Sequence, residues 1–132
     1  MTDETAGPRA GLMVVLIDID PDYEDEFNRW YLEEHLPERL GLPGFRSARR
    51  FKLHEGDMAT YLAIYELDSV DTVHTPEYEA LFPQSPWSDE ITTHFRYRVR
   101  GIYSEITPEP AAVIAARAAL DERRAAQGAT SN

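Results

Sequence analysis

One hundred and thirty-two residues are enough for one domain with a sizeable core. Thirteen Lys and Arg against 24 Asp and Glu leave a formal charge of −11, which opposes binding to nucleic acid or an anionic membrane through a generally basic surface. The lack of cysteine removes disulfide scaffolds, thiolate metal sites and cysteine nucleophiles, while 42% apolar and 11% aromatic residues describe a packed, soluble chain.

Residues 1–10 read as a disordered or extended segment with no signal-peptide pattern, and no apolar run could span a bilayer, so a cytoplasmic location is expected. GLMVVLIDID (11–20) is apolar at both alternating sets of positions and reads as a central strand. Asp20-Pro21 starts a helix, with Asp22, Glu24, Asp25 and Glu26 complementing its dipole. Tyr23, Phe27, Trp30 and Tyr31 form a stripe on that helix, and Leu36-Pro37, Gly41 and Pro43-Gly44 end it. FRSARRFKL (45–53) alternates an inward set, Phe45, Ser47, Arg49, Phe51 and Leu53, with a basic outer set, Arg46, Ala48, Arg50 and Lys52. ATYLAIYEL (59–67) is a second central strand. Ser69 caps a second helical region that Pro76 kinks or restarts, and residues 85–95 form a short capped helix or a structured loop. FRYRVRGIYSEI (95–106) alternates Phe95, Tyr97 and Val99 with Arg96, Arg98 and Arg100, a second basic edge strand with a bulge expected at Gly101.

The order is βαββαβ, a ferredoxin-like α+β fold with a four-stranded antiparallel sheet over residues 11–107. Strands one and three are central and strands two and four are edges. The charge follows this plan: −7 over 18–39 and −9 over 55–94, against +4 over 40–54 and +2 over 95–108. Residues 108–132 are alanine-rich, and a helical arm on the domain or on a partner subunit is expected, fraying near Gln127 into a flexible tail.

No dinucleotide fingerprint, P-loop, nucleophile elbow or HExxH motif is present. His35, His54, His74 and His94 lie 19 or 20 residues apart, and helix capping accounts for two members of Asp18-x-Asp20-x-Asp22, so no metal is expected. The segment WYLEEHLPERLGLPGF (30–45) is dense in acid–base groups beside aromatic surface. His35 falls at the margin of the stripe, where it either meets a pocket as an acid or base or satisfies the helix end. Glu34 falls near the centre of the stripe, where it either acts as a second acid–base group or is accommodated by a loosened helix before Pro37 or by Arg49. Tyr61 and Tyr65 share one face of the third strand and can orient a substrate oxygen. Phe82, Trp87 and His94 are candidate walls, as are Trp30 and Tyr31, each equally readable as core. RNA binding on Tyr61 and Tyr65 lacks the basic, glycine-containing pattern it needs.

FNRWYLEEHLPERL followed by LPGFRSARRF, within a βαββαβ order, resembles the dimeric α+β barrel superfamily, nearest its EthD-like branch, over residues 11–106. The resemblance implies that two ferredoxin-like sheets pair into a homodimeric barrel. It also implies an activity among cofactor-independent monooxygenases, polyketide cyclases, lactone isomerases and lyases, with His35 matching the family's helix-end histidine. No axial-ligand signature for haem is present, and no cofactor is expected. The leading expectation is a cofactor-independent isomerase, cyclase or lyase acting by proton transfer on an apolar, oxygenated or aromatic molecule. In it His35 is the acid–base group, Tyr65 and Glu34 assist, and Trp30, Tyr31, Arg49, Tyr61, Phe82, Trp87 and His94 bind the substrate. The alternatives are a cofactor-free monooxygenase of a phenolic or polyketide substrate and a non-catalytic ligand-binding module.

Overall fold

The computed structural model describes residues 9–130, so most of the expected N-terminal segment, residues 1–8, lies outside the described residues. Four strands, β1 (Gly11–Ile19), β2 (Phe45–Lys52), β3 (Tyr61–Leu67) and β4 (Phe95–Ser104), form one sheet in the order β2-β3-β1-β4 with every pairing antiparallel. This is the ferredoxin-like α+β fold, with β1 and β3 central and the two arginine-rich strands at the edges.

Met13, Val15, Ile17 and Ile19 of β1 and Tyr61, Ala63, Tyr65 and Leu67 of β3 are buried beneath the helices. The intervening Leu12, Val14, Leu16, Leu62 and Ile64 are half-buried on the opposite, open face. Two register shifts decide which side chains of the edge strands join each face. One lies between Phe45 and Ser47 of β2, the other where Asp18 and Ile19 of β1 meet Tyr97 and Phe95. Each adds a residue to one strand and inverts the alternation beyond it.

The expected inward set of β2 is therefore corrected. Phe45 faces the helices, but Arg49 and Phe51 pair with Ile64 and Leu62 on the open face, while Ala48 and Arg50 pair with Tyr65 and Ala63 on the helix face. On β4 the same inversion turns Arg98 and Arg100 to the helix side, opposite Ile17 and Val15, and sends Tyr97 and Val99 to the open side. The expected bulge at Gly101 is not there, since Gly101 pairs in register with Val14. The Tyr103 ring covers it, 3.2 Å from where a Cβ would sit.

Asp20 accepts the Asp22 N–H at 3.0 Å and Pro21 opens a 3₁₀ turn (Pro21–Tyr23) that runs into helix α1 (Glu24–Trp30). The helix widens into a π turn over Tyr31–His35 and narrows again as α2 (Leu36–Leu40), which Gly41 ends. Pro37 therefore sits inside the helical segment rather than stopping it. The Leu36 N–H reaches Tyr31 C=O five residues back, and the wider turn accommodates a ring that brings no N–H. Ser69 and Thr72 form a capping box on a 3₁₀ turn (Val70–His74), and Thr75 caps the restart α3 (Pro76–Glu79). Ser85 caps α4 (Pro86–Thr92), and α5 (Pro110–Thr130) carries exposed Val113 and Ile114.

Phe27 is fully buried and meets Tyr31, Tyr61 and Phe95 edge-on, with ring centroids 5.1, 5.2 and 5.7 Å away. Gly44 makes the turn into β2 at φ +88°, where a Cβ would lie 2.8 Å from the Thr72 side chain. Gly44→Ala is expected to destabilise the fold by about 1–3 kcal/mol, read as a lower denaturation midpoint with an unchanged slope.

Candidate functional site

A cavity of about 340 Å³ opens between the helix face of β1 and β4 and the helices above it. Its apolar floor is Met13, Val15, Ile17 and Phe95, and its helix side is Trp30, Tyr31, His35 and Arg39. Tyr65, Tyr78, Phe82, Gln84, Thr92, Arg98 and Arg100 complete it.

The π turn is what brings His35 in. In a regular α-helix a residue five positions on points about 140° away, yet the His35 ring lies 4.5 Å from the Trp30 ring as well as 4.9 Å from that of Tyr31. The rings of Trp30 and Tyr31 are themselves 4.9 Å apart, so the three form a compact triangle, with the Tyr65 ring 6.4 Å from that of His35. Its Nδ1 is buried and meets no hydrogen-bond partner. Burial above all, then the positive fields of Arg39, Arg98 and Arg50, pushes its pKa down to about 2, so the imidazole is neutral at every physiological pH.

Tyr65 and Tyr31 are likewise driven up from the ordinary tyrosine value by burial, against which Arg39 and Arg50 pull the other way. The two hydroxyls feel each other, but the geometry falls short of a normal hydrogen bond, and Tyr65 Oη is left buried without a partner. Arg39, 4% exposed, pairs through Nη1 with Glu38 at 2.6 Å and leaves its Nε unpartnered. Arg100 donates to the Tyr78 hydroxyl at 3.1 Å. Arg50 lies just behind, its guanidinium 4.1 Å from the Tyr31 ring centroid and 5.0 Å from those of Phe27 and Tyr61, with Nη1 donating to Asn28 Oδ1 at 2.9 Å.

Of the residues singled out from sequence, His35, Tyr65, Trp30, Tyr31 and Phe82 come together on this cavity. Glu34 does not line it. Its Oε2 accepts from Ser85 Oγ at 2.6 Å, Ser88 Oγ at 2.9 Å and Trp30 Nε1 at 3.1 Å. Burial works against its ionisation, but those three bonds together with Arg39 outweigh it and hold the carboxyl below its usual range. Glu34 therefore ties the π turn to the start of α4, and the expected pairing with Arg49 is replaced by this cluster. Arg49 stands over the Phe51 ring at 5.5 Å, on the other side of the sheet. Tyr61 donates to the Glu24 carboxylate and lines a smaller recess with Ile19, Pro21 and Thr60. Trp87 Nε1 donates to Glu26 at 3.2 Å beneath the Arg29 guanidinium, and His94 stacks on Tyr23 with ring centroids 3.4 Å apart.

Sequence reasoning missed Arg39, Tyr78, Gln84, Thr92, Arg98 and Arg100. One signal was available for Arg39, which follows His35 by four residues, one helical turn. Among the described residues no three His, Cys, Asp or Glu side chains are grouped to hold a metal ion, and no helix is long and apolar enough to cross a membrane.

Several solved structures share the fold. A dimeric ferredoxin-like protein from an uncultured marine organism matches with TM-score 0.58 at 14% identity, covering 76% of this chain and 90% of its own. A Nitrosomonas europaea protein described as a candidate antibiotic biosynthesis monooxygenase matches with TM-score 0.55 at 13% identity, over 76% and 94% of the two chains. An ethyl tert-butyl ether D (EthD) family protein from Bacillus halodurans C-125 matches with TM-score 0.52 at 14% identity, over 74% and 99%. At such identities the likeness is one of fold. Among curated proteins none matches. A family model described as "Domain of unknown function (DUF4286)" matches residues 12–105, and the chain belongs to that family.

Proposed function

We infer that this protein is a small-molecule enzyme that moves a proton on an apolar, oxygenated or aromatic substrate, in an isomerisation, cyclisation or elimination that needs no cofactor. The observation that carries this reading is the buried, partnerless Nδ1 of His35 on a cavity that also holds the partnerless Tyr65 hydroxyl. Burial and the nearby arginines make the imidazole a weak base in the empty cavity, so His35 takes a proton from a carbon beside a carbonyl once a bound substrate brings negative charge beside it, and the Tyr65 phenol, which stays protonated, donates a hydrogen bond to the carbonyl oxygen as charge develops there. Met13, Val15, Ile17 and Phe95 exclude water from the carbon skeleton. Glu34 acts by position, holding Trp30 and therefore the ring against which His35 lies.

The enzyme works as a homodimer closed over the open sheet face. Exposed Phe51, Tyr97, Val99 and Tyr103 lie there beside half-buried Leu12, Leu16 and Ile64, an apolar surface that a second copy covers. That a structural neighbour is described as a dimeric ferredoxin-like protein supports pairing of two copies.

The neighbour described as a candidate monooxygenase favours a second reading, oxygen addition to a phenolic or polyketide substrate in the same cavity. Incubation in D₂O with a panel of aromatic 1,3-diketones separates the two. Proton-transfer chemistry gives deuterium at the activated carbon without oxygen uptake, reduced about 10²–10⁴-fold in His35→Gln. Oxygen consumption without exchange, or exchange indifferent to His35→Gln, overturns the first reading.

The depressed His35 pKa has its own readout. The unfolded chain takes up a proton at this site as pH falls through 6.5, whereas the folded chain resists until about 2, so the stability that neutral His35 confers is present above 6.5 and lost on acidification. Between pH 6.5 and about 5 the wild type is expected to lose up to about 1.4 kcal/mol more per pH unit than His35→Gln, measured by urea unfolding. Val99→Lys places a charge opposite Leu16 on the open face and is expected to convert a dimer to a monomer by light scattering.

A further inference from the structure

The cavity reverses the electrical character of the chain. In a protein with 24 acidic side chains against 13 Lys and Arg, three arginines line the cavity and no Asp or Glu does. Arg98 and Arg100 are there because the register shift at the start of β4 turned them to the helix side. Among the described residues neither has a carboxylate within ion-pair distance: the ion pair made by this strand belongs to Arg96, which reaches Asp20 at 3.5 Å. Arg39, almost wholly buried, brings a guanidinium whose Nε donates to nothing, and Tyr65 adds a hydroxyl proton with no acceptor.

Arg98 and Arg100, exposed and without a carboxylate partner, attract a negatively charged group, and the unsatisfied buried donors of Arg39 and Tyr65 call for hydrogen-bond acceptors on the same ligand. An amine or other cation would meet like charge and more donors. A planar carboxylate matches the guanidinium fork, and charge-assisted bonds of this type are about twice as strong as neutral ones. A cavity of about 340 Å³ has room for a ring system beside that group.

We propose that the cavity binds an organic carboxylate, an aromatic or alicyclic acid whose charged end meets Arg98 and Arg100 and whose ring lies against Met13, Val15, Ile17 and Phe95. This rests on the acid–base reading above and names its substrate class. The carboxylate end fixes the ring on the apolar floor, with the reacting carbon toward His35 and a ring oxygen toward Tyr65.

The test is calorimetric titration of the full-length protein at low salt with 2-naphthoate, its neutral isostere 2-naphthamide, and inorganic phosphate as competitor. Naphthoate is expected to bind about tenfold or more tightly than the amide. R98Q/R100Q is expected to bring the two within about twofold of each other while leaving amide binding in place, since both positions are exposed and their loss spares the floor. R98K/R100K, which keeps the charge, is expected to retain part of the preference, and the near-UV circular dichroism of each variant reports an intact fold. Equal affinity of the two probes, a preference that survives R98Q/R100Q, binding of neither probe at millimolar concentration, or displacement by phosphate at naphthoate-like concentrations overturns the proposal. These readouts involve no turnover, so their failure leaves the role of His35 to the exchange experiment, and failure there leaves the anion site standing.

Discussion

Guanidinium groups drawn out of water around a neutral imidazole set the terms for the helix side of this sheet. A buried cation is tolerated only where hydrogen bonds, aromatic faces or opposite charges replace its hydration. Arg39 has the Glu38 carboxylate and half-buried Arg50 has three aromatic rings and Asn28, while Arg100, which stays exposed, adds a hydrogen bond to the Tyr78 hydroxyl. Glu38 shares α2 with Arg39, but the partners of Arg50 and Arg100 lie on other elements, so supporting those two charges also fixes how the helices and edge strands meet. Burial above all, helped by the fields of Arg39, Arg98 and Arg50, keeps His35 unprotonated.

The aromatic cluster and the polar cluster share a member. Trp30 packs against Phe27 and Tyr31 while its Nε1 donates to both Ser88 Oγ, at 3.0 Å, and Glu34. The carboxylate of Glu34 thereby joins α1, the π turn and the serine-capped start of α4 in one fully hydrogen-bonded group. Such a group confers rigidity where every donor is satisfied. Among the described residues the orphaned buried polar atoms lie outside this group, at His35, Arg39, Arg50 and Tyr65.

The order of strands and helices was legible because Asp20-Pro21, Ser69 and Ser85 mark helix starts by local chemistry, and because a central strand must be apolar on both faces. Side-chain phase on the edge strands was not. Phe51 is expected inward as part of an apolar alternation, but the open face of this sheet is apolar too and takes Phe51, Tyr97 and Val99, so hydrophobicity does not tell one face from the other. The two register shifts then decided the matter in favour of Arg50, Arg98 and Arg100, and nothing in FRSARRF or FRYRVR marks where the extra residue sits. Within the site, the density of acid–base residues in 30–45 points to the helical segment that lines the cavity with Trp30, Tyr31, His35 and Arg39. For Glu34 a regular wheel gives a costly position, and of the two structural accounts the sequence offers, the loosened helix before Pro37 agrees with the π turn while the pairing with Arg49 does not.

The π turn has a genealogical meaning as well as a geometric one. A wide turn accommodates one residue more than an α-helix of equal span, so it marks a place where a helix can carry an insertion with both ends still anchored, here by the Asp20 cap and the Gly41 stop. In a relative lacking that residue, everything after Trp30 would rotate by about 100° relative to α1. The positions of His35 and Arg39 would then pass to other side chains. Two members of this fold could thus align along their whole length and still present different chemistry to the same cavity, distinguished by a single-residue gap in a helix rather than by any substitution.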